Sequence, residues 1–182
     1  MTREFIKYKL LNSLFLGLSV GSIFILYAPL NPSVYSLGGI VLALSMLFIA
    51  KIYSKILTIN YFYKISLFVE IVVLFMLVYF LLFSYSYTTA LIVYVGYQLT
   101  FTFGSYLIRA ETLFLKRSTI LGFVDVAKQK GYLFGMLGSY IFYKGVEYFF
   151  HLNDKQDQVY FIHFLLLGVQ LFTIVYLLKA FK

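Results

Sequence analysis

The feature that most limits this chain is a series of long apolar runs parted by short polar segments, at about 11–28, 34–50, 63–83, 90–108, 131–150 and 160–178. Of the 182 residues, 62% are hydrophobic and 12% charged, whereas a soluble domain is roughly a quarter charged. No aqueous core of this size hides so much apolar surface, so lipid is the expected solvent for much of the chain. Inside lipid every backbone polar group must be bonded internally, which leaves helices or a closed barrel. Continuous runs without strict alternation select helices. The expected fold is all-α: a polytopic six-transmembrane-helix bundle in which residues 1–182 form one domain. The first run is long enough to span and lacks a small-residue cleavage site, so it is read as a retained helix and not as a signal peptide.

Charge sets the orientation. Arg3, Lys7, Lys9, Lys51, Lys55, Lys64, Arg109, Lys116, Arg117, Lys128, Lys130, Lys179 and Lys182 all fall on one side of that layout, with Glu4, Glu111 and Asp125. The other side holds Lys144 and Lys155 with Glu147, Asp154 and Asp157. Basic residues accumulate in cytoplasmic loops, so both termini are expected in the cytoplasm of a bacterial inner membrane. The net charge of +8 thus lies where anionic lipid attracts it. It is no separate basic module, and nucleic acid is not an expected partner. There is no cysteine, which excludes disulfides, thiol catalysis and thiolate metal sites. Tyr27, Tyr35, Tyr85 and Tyr87 outside, with Tyr53, Tyr61 and Tyr63 inside, form the expected interfacial belt.

Residues 131–143 are the cleanest part of the fifth run and too short to cross alone, so the span is extended to Phe150 and takes in Lys144 and Glu147. The preceding inner segment, 109–130, carries Ile120, Phe123, Val124 and Ala127 at helical spacing, with Lys116, Asp125 and Lys128 off that stripe. A short amphipathic helix on the inner leaflet is expected between spans four and five; the plainer reading is a solvated connector.

Glu70 is the only acid well inside a run. An ionisable group at that depth is costly and is kept for function or held by partners. Spans three and four form a hairpin, which sets Glu70 level with roughly position 100. On span four Tyr94, Gln98, Thr102, Ser105 and Arg109 fall within about an 80° arc. If Glu70 faces this stripe, the two helices build a polar track for a solute or proton, with Glu70 titrating and Arg109 as gate or anion contact. Otherwise Glu70 makes an interhelical hydrogen bond and Arg109 anchors the inner interface.

Gly17 and Gly21, and Gly131, Gly135 and Gly138, make small-residue faces on spans one and five. These suit close helix packing within the chain or a dimer seam. The outer groups Glu147, His151, Asp154, Asp157 and His163 lack the spacing of a zinc motif, and no metal or cofactor is expected. No nucleophile elbow or phosphate loop supports an enzyme.

Six helices with both ends inside is similar in layout to one half of a major facilitator transporter. The loop between spans two and three, Ala50-Lys51-Ile52-Tyr53-Ser54-Lys55, departs from the Gly-x-x-x-Asp-basic pattern of those carriers, so the likeness is one of layout. The expected function is a membrane transporter or half-transporter for a small solute, possible to couple to protons through Glu70. It would pair with a second copy or another membrane protein. The alternative is a non-catalytic membrane subunit or scaffold for a partner complex.

Overall fold

The computed structural model describes residues 2–182, and they are helical throughout apart from short turns. In chain order the helices are α1 (Thr2–Tyr27), α2 (Pro32–Lys51), α3 (Tyr53–Ile56), α4 (Ile59–Leu82), α5 (Tyr87–Thr102), α6 (Gly104–Leu115), α7 (Ser118–Phe150) and α8 (Lys155–Ala180). Five stretches are long and apolar enough to cross a membrane: α1, α2, α4, α5 with α6, and α8. The chain is therefore an all-helical bundle of multi-pass membrane character.

Helix ends follow local chemistry. Pro32 opens α2, where its missing N–H costs nothing. Thr58, Ser86 and Asp154 cap α4, α5 and α8 by accepting from the backbone N–H of Tyr61 (3.4 Å), Thr89 (3.0 Å) and Gln156 (2.7 Å). The α7 helix closes on His151 in the left-handed conformation, φ 53°.

Three elements differ from expectation. The α1 helix starts nine residues before its apolar run, so the basic N-terminal segment is helical and joins the bundle. Between α5 and α6 the helix breaks at Phe103. Here the hydroxyls of Thr100 and Thr102 donate to the carbonyls of Tyr97 (2.8 Å) and Gln98 (3.0 Å), and the Phe103 N–H bonds to Thr100 at 3.2 Å. Threonine back-bonding of this kind bends helices. Finally, no separate amphipathic helix precedes the fifth run. Residues 118–130 are the first turns of α7, a single helix of 33 residues. A 33-residue helix is about 50 Å long, enough to extend beyond a bilayer core at one end. It is not among the stretches apolar enough to cross.

The closest packing is between α1 and α7. A Cβ placed on Gly17 would lie 2.9 Å from the Met136 nitrogen, and one on Gly135 would lie 2.9 Å from the Leu18 nitrogen. Gly131 meets the backbone of Leu10 and Leu14 in the same way. The glycine faces on both helices thus face each other inside the chain, and Gly138 and Gly21 continue the seam against Leu18 and Tyr143. The α8 helix packs on α1 and α4; α5 packs on α4, α2 and α1; α6 packs on α4 and α2. The α2 helix is almost wholly exposed, with Ile49 its one buried residue.

Candidate functional site

Glu70 stands eleven residues into α4, about 17 Å along its axis. It is 1% exposed. The Tyr8 hydroxyl and the Asn12 Nδ2 both donate to Oε1 at 2.9 Å. The Gln170 Nε2 donates to Oε2 at 2.8 Å and to the Glu70 carbonyl at 2.9 Å. Tyr8 and Asn12 are one turn apart on α1, while Gln170 projects from α8. Three helices therefore meet on one carboxylate at the depth where unsatisfied charge costs most. Ser66, one turn before Glu70 on the same face, is equally buried, and its Oγ has no hydrogen-bond partner. The Oε1 of Gln170 also has none.

This geometry corrects the expected contact with span four. The polar stripe and Glu70 do not form one track, because Glu70 turns to α1 and α8. Tyr94 is buried against α2 and donates to the Tyr35 carbonyl at 3.2 Å. Gly38 makes that possible, since a Cβ there would come within 2.6 Å of the Tyr94 ring. Gln98 is half-buried, with its Oε1 unpaired. Thr102 is satisfied by its own helix. Beyond the break at Phe103, Ser105 and Arg109 are exposed on α6. The stripe thus passes from a buried end to an open one.

A second cluster lies at the end of the bundle where α1 begins and α6 ends. Lys9 of α1 meets Glu111 of α6 at 2.5 Å, and Lys128 of α7 also binds Glu111 while reaching Asp125 at 3.4 Å. The Glu111 side chain is 5% exposed and that of Lys9 11%. The Lys9 ammonium also lies 5.3–6.0 Å from the rings of Tyr8, Phe5 and Phe62, within cation–π range. Sequence reasoning missed this network. Its one legible sign is the i,i+3 spacing of Asp125 and Lys128.

The His and acidic groups between Glu147 and His163 do not converge. Lys144 pairs with Glu147 at 2.7 Å, Asp154 caps α8, and His163 is buried with its Nδ1 on the Val159 carbonyl at 2.6 Å and its ring on Phe80. Among the described residues no three metal-ligating side chains of the His, Cys, Asp or Glu type come together. Compared with known proteins, the chain matches no family, no curated protein and no solved structure.

Proposed function

We propose that the chain is a membrane transport protein, a six-helix half-carrier for a small solute. In this reading α7 crosses as well, both termini are cytoplasmic, and the membrane is a bacterial inner membrane. One observation carries it: the pattern of helix packing. Exchange α1 with the α5–α6 unit, α2 with α7, and α4 with α8. The α1–α7 contact then becomes α2 with α5 and α6, and the α1–α8 contact becomes α4 with α5 and α6. The exchange leaves the α1–α5 and α4–α8 contacts unchanged by construction, and the α6–α7 and α7–α8 contacts have no counterpart of similar extent between α1 and α2 or α2 and α4 among the described residues. A unit of three helices repeated in this way returns inverted in the bilayer. Inverted three-helix repeats build many secondary transporters, including the halves of major facilitator carriers.

In such repeats the solute lies near the midplane at the repeat interface, which here is the packing of α1 and α4 against α5, α7 and α8. Gln98, with its unpaired buried oxygen, and the exposed Ser105 and Arg109 are the polar groups available to line a path along α5 and α6. Glu70 is the ionisable group at the depth a coupling ion would use. A half-carrier needs a second half, and the inner bias of basic residues requires that a second copy insert in the same orientation.

A second reading, a non-catalytic membrane subunit, is favoured by the dryness of Glu70. Because one fold hosts many functions, the partner decides between them. Native mass spectrometry from lipid nanodiscs should give a dimer of identical chains. A lone monomer, or a fixed complex with a protein of another kind, would overturn the half-carrier.

A further inference from the structure

We propose that the buried cluster around Glu70 binds a small monovalent cation of sodium's size through oxygen atoms of α1, α4 and α8. The first ground is the pair of oxygens without partners. Ser66 Oγ and Gln170 Oε1 belong to residues 1% exposed, and both residues flank Glu70. Buried polar atoms are rarely left unpaired in native proteins, and an ion or water explains those that are.

The second ground is ligand chemistry. The cluster offers a carboxylate, two amides, a hydroxyl and a phenol, with neither thiol nor imidazole. Oxygen sets of this kind select hard cations. One carboxylate balances one positive charge, whereas a divalent ion would leave a buried charge unmatched. Lys9, the nearest cationic side chain, is drawn to Glu111 and does not fill the place.

The third ground is that the carboxylate is held in place without a cation. Asn12 and Gln170 offer N–H groups to it, and the Gln170 Nε2 also bonds the Glu70 carbonyl, which fixes that amide and leaves its Oε1 free. An amide turned about its last bond offers oxygen in place of nitrogen, so Asn12 turned over would join Glu70, Ser66, Tyr8 and the Gln170 Oε1 as oxygen ligands. Asn12 is the half-buried member and marks the side of entry.

The test uses the full chain in nanodiscs of zwitterionic lipid, in choline chloride at constant ionic strength. Retained radioactive sodium and the unfolding midpoint are followed as sodium replaces choline. The expected result is saturable retention and, at about a hundredfold excess over Kd, a midpoint rise of roughly 5 °C or more. Glu70→Gln should abolish both effects while keeping its helix content by circular dichroism. Ser66→Ala should weaken sodium binding about fivefold or more, the worth of one lost ligand at roughly 1 kcal/mol. Wild-type protein that retains no sodium above the choline background overturns the proposal, as does a Ser66→Ala protein that binds like wild type. Neither readout involves flux or a second copy. An empty site therefore leaves the half-carrier standing, and a sodium-binding monomer leaves the site standing.

Discussion

Glu70 holds three helices together with a single side chain, and its removal is predicted to act through the donors it leaves behind. In Glu70→Ala, Tyr8 and Asn12 lose their acceptor, and Gln170 keeps only the backbone carbonyl of residue 70. An unpaired buried group costs about 1–3 kcal/mol, so a loss of at least that size is expected in reversible unfolding from mixed micelles. Glu70→Gln keeps the shape and should lose less. Two glycines make a paired prediction. Gly135→Val forces a side chain into the backbone of α1 and should cost about 1–3 kcal/mol or more. Gly39→Ala meets nothing within 4 Å and should gain about 0.5–1 kcal/mol from helix propensity. A protein indifferent to Gly135→Val would remove the α1–α7 crossing as a close contact. The glycine faces were legible because small residues four apart lie on one helix face whatever packs there. That Glu70 needs partners was legible too, from the cost of a buried carboxylate. Their identity was not, because Tyr8 lies before the apolar run, where hydropathy marks only the edge of the lipid.

Helices are joined at the end of the bundle where α1 begins by the cluster of Lys9, Glu111 and Lys128, which links α1, α6 and α7. Breaking a buried ion pair from one side leaves an uncompensated charge and costs about 3–5 kcal/mol. Glu111→Gln is therefore expected to loosen all three helices, seen as faster amide exchange in the first turns of α1 and α7. Replacing Lys9, Glu111 and Lys128 together by apolar residues should cost less than Glu111→Gln alone. If the triple change proves worse, the cluster contributes net attraction beyond its own desolvation. Periodicity within one element predicted the amphipathic stretch at 118–130 and could not predict its continuity with α7. An N-terminal helix stop needs a cap or breaker, and Gly131 supplies neither when its face is filled by α1.

For the whole molecule the charge bias makes a direct prediction. The chain has no cysteine, so single cysteines report position without background. In intact cells a membrane-impermeant maleimide should label Ser86→Cys and Asn153→Cys and leave Lys55→Cys and Lys182→Cys untouched until the cells are opened. Protection of Asn153→Cys would mean that α7 does not cross. The sequence yields an expectation of orientation because that depends on where Lys and Arg fall along the chain. The order of helices around the bundle was not readable: α1 packs against α7 and α8, more than a hundred residues away, and makes no comparable contact with its sequence neighbour α2 among the described residues.

The α7 helix has a consequence for how the protein is made. The uncharged part of α7, 131–143, is too short to cross alone, and lengthening it takes in Lys128 and Lys130 or Lys144 and Glu147, so the segment partitions poorly from the translocon into lipid by itself. Insertion of α7 would then depend on α1 already waiting in the bilayer, offering the bare backbone at Gly17 as a landing strip. The emerging α7 would be received by protein before it met lipid. A Gly17→Leu chain would fail at the ribosome exit and in the quality-control system, well before any folded bundle could be weighed for stability.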